Sequence, residues 1–258
     1  MTPITDRPAL LAHRARATRD AMFLHEEVVA EVQERLSEVN RTFTDPVVVT
    51  PFPELWPFPT VPDDDVLALT PGAHDLVIHA LCLHWANDPV GQIVQCRRAL
   101  RPDGLFICAA FGGQTLSELR TVLTEAEAAI TGGLSPRVLP MAEIRDMGAL
   151  LGRAGLALPV ADSFKRRVRY RDALHLMHDL RAMGEANALE GRLRRPTRRA
   201  VLLDAARRYQ ALADGEGRVP ATFETIWLTG WAPDDSQQKP LRPGSAQTRL
   251  ADALKLPE

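Results

Sequence analysis

The stretch from Asp75 to Phe111 constrains this chain more than any other. Asp75-Leu76-Val77-Ile78-His79-Ala80 is almost continuously apolar, and so is Leu105 to Phe111. A strand with one solvated face alternates apolar and polar residues, whereas an unbroken run suits a parallel sheet covered on both faces. Between the two runs, Asn87 to Leu100 has helical spacing, with Ile93, Val94 and Leu100 apolar. Arg97, Arg98 and Arg101 gather at its end, where cations complement the helix dipole. Pro102-Asp103-Gly104 supplies the turn. Strand, helix, turn, strand predicts a right-handed crossover between parallel strands, and so an α/β fold.

The flanks are less regular. Asp6 to Val39 reads as largely helical, with Phe23, Val28, Val32 and Leu36 recurring at about one turn. Arg7, Arg14, Arg16 and Arg19 cluster at its start, as a solvated face, a docking surface for an acidic partner, or a substrate lid. Pro46 to Thr50 predicts a short strand. Pro51, Pro53, Pro57, Pro59 and Pro62 then interleave with Phe52, Leu55, Trp56 and Phe58. Proline at that density breaks helix and central strand alike, so an extended loop is expected, its aromatics covering the core or a ligand. Beyond Gly112-Gly113 come a helix over Gln114 to Ile130, a loop to Arg137, and a helix over Met141 to Ala154 stopped by Gly155. A strand within Leu156 to Tyr170, helices over Arg171 to Gly184 and Thr197 to Leu212, and a strand over Phe223 to Trp231 complete the pattern. A loop-like tail follows Ala232.

Composition narrows the function classes. The chain has 258 residues, 45% hydrophobic and 25% charged, enough for a packed core without disulfides or metals. A formal net charge of -2 gives no global attraction to nucleic acid. Cys82, Cys96 and Cys108 stand singly, as small buried hydrophobes in a reducing compartment. No apolar stretch approaches the roughly 20 residues that span a bilayer, and Met1 to Ala17 has no apolar signal region, so a cytoplasmic protein is expected.

Several blocks carry a resemblance. Asp75-Leu76-Val77-Ile78 followed by Leu83-His84-Trp85-Ala86-Asn87-Asp88, and Leu100-Arg101-Pro102-Asp103-Gly104-Leu105-Phe106, resemble the fourth strand, its loop, and the turn before the fifth strand of class I methyltransferases of the type 11 kind. Phe111 to Arg120, Gly132 to Pro136, Leu150 to Gly155, Met183-Gly184-Glu185-Ala186-Asn187, Val219 to Thr222 and Arg242 to Ala246 are similar to the methyltransferase-like assembly factors of respiratory complex I. A more distant similarity is to the malonyl-carrier-protein methyltransferases of biotin synthesis. The resemblance runs from about Asp6 to about Ala246. It implies a truncated Rossmann-like class I methyltransferase sheet with flanking helices and an N-terminal helix. The expected division is a helical region over 1–44 and a methyltransferase-like domain over 45–258, with a helical insertion at about 171–213.

The departure from that family is local. Its members carry a D-x-G-x-G-x-G turn after the first strand, where the backbone approaches S-adenosylmethionine and a helix N-terminus offers N–H donors to the cofactor carboxylate. Here Val47 to Thr50 runs into Pro51-Phe52-Pro53-Glu54-Leu55-Trp56, which has no glycine. Between Thr50 and Val61 the family's first helix, second strand and second helix have no room, since one ordinary helix takes about 11 residues.

The resemblance places Asp63 and Asp64 near the adenine, with Ala80 and Leu83 as further cofactor contacts. A polar turn that caps the next element explains the two acids equally well. His79 and His84 lie at and beyond the end of the fourth strand, where open parallel sheets bind ligands, and either could serve as a general base or as a structural imidazole. His175 and His178 stand one turn apart without an evident third metal ligand, so no metal is expected. Lys165, Arg166, Arg167, Arg169 and Arg171, with Arg192, Arg194, Arg195, Arg198 and Arg199, form either a solvated surface or a face for an anionic protein; no nucleic-acid motif accompanies them. Two functions follow. One is an assembly protein acting through protein contacts, with a complex I subunit as the candidate partner, and with a degenerate S-adenosylmethionine site. The other is an active S-adenosylmethionine-dependent methyltransferase on a protein or small-molecule acceptor.

Overall fold

The computed structural model describes residues 3–238. The block Arg242 to Ala246 and most of the tail after Ala232 lie outside that range. Six strands form one sheet in the order β2-β1-β3-β4-β6-β5. They are β1 (Pro46–Val49), β2 (Thr60–Val61), β3 (His74–Ala80), β4 (Leu100–Phe111), β5 (Ala157–Tyr170) and β6 (Val219–Trp231). β2, β1, β3 and β4 are parallel, and β6 then pairs antiparallel with both β4 and β5.

Strand alternation sorts the core onto two faces. Val48, Leu76, Ile78, Leu105, Ile107 and Phe111 point to one side. There they meet α2 (Phe23–Glu38), α4 (Ser117–Thr131), α6 (Ala173–Ala182) and α7 (Arg199–Gln210). Val47, Val49, Val77, Phe106 and Cys108 point to the other, against α3 (Pro89–Ala99) and α5 (Ile144–Arg153). Both faces of β3 and β4 are therefore dry, which is why those segments lack alternation. All three cysteines are buried and free, and burial pushes their thiol pKa values up.

Three expectations change. The N-terminal helical stretch is broken: α1 (Arg7–Arg14) is capped by Asp6, whose carboxylate accepts from the Ala9 N–H, and a 3-10 turn at Arg19–Ala21 separates it from α2. The proline segment is not wholly loop. Pro53–Leu55 forms one 3-10 turn, and Thr60–Val61 is a two-residue strand beside β1, where Pro62 ends its ladder. α4 begins at Ser117 and not at Gln114, because Gly112 and Gly113 cross close under β6 and Glu143 before the helix can start. A Cβ on Gly112 would lie 2.7 Å from Ile226 Cδ1. Gly155, at φ +79°, ends α5 as expected. Phe52 is buried, and Trp56 and Phe58 pack on the core.

Candidate functional site

The carboxyl ends of β1, β3 and β4 open toward α1 and the loop after α6. His79 sits at the end of β3, fully enclosed. Gln92 uses its amide nitrogen on the Asp63 and Asp64 carbonyls, so its oxygen faces His79 Nε2 at 2.8 Å and takes that hydrogen. The Cys82 thiol lies 3.5 Å from Nδ1. Burial, partly offset by the Gln92 bond, holds the His79 pKa down at about 4, so the ring is neutral near pH 7. Ala80 and Leu83 are buried in opposite core faces.

Asp63 and Asp64 are brought together with the N-terminal arginines. Arg14 Nη1 donates to both Asp63 oxygens, at 2.8 and 2.9 Å, and both side chains are 4% exposed. Arg7 spans Asp63 and Asp64 at 3.2 Å each. The expected solvated or docking cluster is thus corrected for Arg7 and Arg14, which point inward to the acids. Arg14 Nε and Nη2 are buried without a partner, as is Nε2 of His25, whose ring packs edge-on to Phe52. Beside Arg14, a shallow hollow runs along Thr50, Pro51, Phe52 and Val61.

Glu185 completes the cluster. Gly184, at φ +83°, turns the chain after α6, and a Cβ there would lie 3.2 Å from Arg14 Cα, so a side chain would obstruct this path. Glu185 then points inward. Its Oε2 accepts from Trp85 Nε1 at 2.7 Å and lies 3.4 Å from His84 Nε2, while Oε1 is buried without a partner. The Phe111 N–H meets His84 Nδ1 at 3.4 Å, which places the His84 hydrogen on Nε2, facing the carboxylate. Burial by itself would raise the Glu185 pKa. The His84 hydrogen bond and the charges of His84, Arg14 and His25 reverse that and hold it at about 2. Glu185 also lines a cavity of about 240 Å³ between α4, α6 and the 137–141 segment. The walls include Phe111, Leu119, Leu123, Met141, Met177 and Leu180.

His84 itself is enclosed, its ring tilted against Phe111 at 4.8 Å between centroids, and it buttresses Glu185 from behind. Reading the sequence did not single out Glu185, although it lies in the quoted Met183 to Asn187 block. A glycine followed by an acid at a helix end is common surface grammar, and only burial distinguishes this one. Among the described residues no three His, Cys, Asp or Glu side chains are grouped to hold a metal, and no helix is long and apolar enough to cross a membrane.

Residues 24–108 match the family model described as a methyltransferase domain. Over 194 residues the chain is 39% identical to arginine-hydroxylase NDUFAF5, mitochondrial, of Danio rerio, covering 75% of this chain and 60% of that protein. The Homo sapiens protein of the same name is 38% identical over 194 residues, or 75% of this chain and 56% of its own length. A malonyl-[acyl-carrier protein] O-methyltransferase of Xylella fastidiosa is 33% identical over 171 residues, 66% of this chain and 56% of that protein. The chain therefore spans 60% or less of the length of these curated relatives. A putative methyltransferase of Bacillus halodurans aligns with 79% of this chain and 99% of its own, at 11% identity and a TM-score of 0.49. Residues 24–108 thus match a methyltransferase domain, and the chain is similar to the NDUFAF5 arginine-hydroxylases and, less closely, to the malonyl-[acyl-carrier protein] O-methyltransferases.

Proposed function

We propose that this chain acts in respiratory complex I assembly through protein contacts, and that the cavity ending on Glu185 receives a cationic side chain of its partner. The observation that carries the reading is the Glu185 carboxylate, enclosed at an apolar cavity with one oxygen held by Trp85 and the other unpartnered. An apolar sleeve that ends in a carboxylate suits an aliphatic stem tipped with a guanidinium or ammonium. The methylenes pack on leucine and methionine while the cation supplies the hydrogen bond that Oε1 lacks. The relatives' name, arginine-hydroxylase, makes a guanidinium the first choice. In this reading His84 is a positioning residue for Glu185, and His79 is a satisfied core imidazole rather than a general base.

S-adenosylmethionine is the cofactor that the fold family implies, and its site is degenerate in this proposal. Three features support that. The loop after β1 carries no glycine, and a single 3-10 turn stands where the family has a helix N-terminus. Arg14 engages both oxygens of Asp63 and Arg7 adds a third contact, and the carboxylate is only 4% exposed, so it is committed to the protein and not open to ribose or adenine. The buried Phe52 ring fills space beside them. We therefore assign Asp63, Asp64, Ala80 and Leu83 to holding the fold, and the helical region over 1–44 to closing the site. The proposed compartment is the cytoplasm, whereas the animal relatives are mitochondrial proteins by name. Calorimetric titration of the folded chain with S-adenosylmethionine and S-adenosylhomocysteine tests the cofactor reading. No saturable heat is expected, and micromolar saturable binding would restore the active methyltransferase. Co-purification with complex I subunits tests the partner.

A further inference from the structure

The cavity does not end at its own mouth. It shares Arg137 and Val138 with a second hollow beside Arg120, and that hollow shares Leu134, Ser135 and Arg137 with a third. The third is walled by Arg195 and Arg198 at the start of α7. The three adjoin one another along the 134–138 segment, from the Glu185 cavity to the α7 N-terminus.

Beyond Glu185, the uncompensated charge along these hollows has one sign. Glu127 is the acid in the wall of the third, and both its oxygens are taken by Arg137 and Ser135. Arg137 leads in holding its pKa at about 2. Asp6 and Glu190, close to the loop before α7, are occupied by Arg192 and Arg194. Arg120 is bound only to the carbonyls of Gly113, Thr115 and Leu139, so its charge meets no carboxylate. Arg195, Arg198 and Arg199 are exposed, and no carboxylate among the described residues pairs with them. α7 begins without a side-chain cap and without an acid in its first turn, which adds the positive end of the helix dipole.

We propose that the partner segment bound here is acidic alongside the cation it inserts: an extended peptide whose Asp or Glu side chains lie over Arg195, Arg198 and Arg199 while its cationic residue enters toward Glu185. This rests on the cavity reading given above. It divides the site into an interior that selects a cation and a rim that selects anions. A uniformly basic segment, which the interior alone would accept, is disfavoured at the rim by like charge. The choice of a protein over a nucleic acid follows from Glu185, because a polyanion offers nothing to a buried carboxylate.

The test uses the full chain and three fluorescent peptides at low salt: Asp-Glu-Arg-Glu-Asp, Gly-Ser-Arg-Ser-Gly, and the acidic peptide with norleucine replacing its arginine. The acidic arginine peptide is expected to bind roughly tenfold tighter than the neutral one, as a few exposed ion pairs allow. That advantage should vanish in the R195S/R198S/R199S variant and shrink as salt rises. These side chains are exposed, and an unchanged melting temperature will show that the variant is folded. Equal affinity of the acidic and neutral peptides overturns the rim assignment and leaves the cavity reading standing. Equal affinity of the arginine and norleucine peptides overturns the cavity reading instead. No binding by any peptide overturns both, and tighter binding of a short single-stranded DNA than of the acidic peptide overturns the protein partner.

Discussion

Glu185 is the residue on which the functional reading turns, and its replacement is the sharpest single test. Glu185→Gln keeps the volume and a hydrogen-bond acceptor for Trp85 but removes the charge. It is expected to weaken binding of an arginine peptide by about tenfold or more, by anisotropy, since hydrogen bonds to a charged group contribute roughly 1.5–3 kcal/mol. Unchanged affinity would sink the cavity reading. Asp63 tests the other half of the cluster. Asp63→Asn leaves Arg14 charged, buried and without its carboxylate, and urea denaturation is expected to show a loss of about 3–5 kcal/mol. His25 carries a cost already present in the native protein. Burial holds its pKa at about 4 against an ordinary 6.5, and its Nε2 has no partner. The unfolded chain binds that proton more readily, so stability is full above about 6.5 and falls as pH drops toward 4. His25→Phe should flatten that slope in a urea-midpoint series run between those two pH values.

At the scale of elements, the turn after β4 decides where the cavity floor lies. Gly112 packs against β6 with no room for a methyl group, since a Cβ there would lie 2.7 Å from Ile226 Cδ1 and 2.8 Å from Glu224 Oε2. Gly112→Ala must displace the Ile226 and Glu224 side chains, and thermal denaturation is expected to show a loss of about 1–3 kcal/mol. Much of this level was legible beforehand. The apolar run of β3, the cations closing α3 and the glycine ending α5 are local signals that tertiary contacts reinforce. β2 was not legible, because two residues between prolines carry no strand pattern and pair only because β1 presents an edge. Nor was the break between α1 and α2, since the intervening residues are acceptable in a helix. α1 is instead held away by its bonds to the 182–192 loop, where Asp6 N–H donates to the Ala188 carbonyl and Thr18 N–H to that of Ala182.

Across the whole molecule, four enclosed glutamates and histidines pull in one direction. Glu185 and Glu127 have pKa values near 2, and His25 and His79 near 4, all below the values of the unfolded chain. Each therefore takes up more protons when unfolded, and each contributes stability that is lost as pH falls. The urea midpoint is expected to decline steadily from about pH 6.5 through the acid range, first through the histidines and then through the glutamates. A midpoint that rises on acidification to pH 5 would contradict the burial of this cluster.

The sequence by itself determined the α/β class, the β3-α3-β4 crossover and the missing glycine turn, because each is written in neighbouring residues through periodicity, turn chemistry and composition. Asp63 was visible as a candidate, but its partner was not. Arg14 stands 49 positions away and read as one of four arginines on a helix. Trp85 and Glu185 are 100 positions apart. Only the tertiary structure decides that these groups are enclosed together, because the free energy of a charge depends on what surrounds it and not on its neighbours along the chain. Folding α1 and the α6 loop over the strand ends converts an ordinary surface arginine and an ordinary surface glutamate into a buried polar centre. The same closure gives the cavity its carboxylate and leaves the arginines of the α7 start outside on its rim.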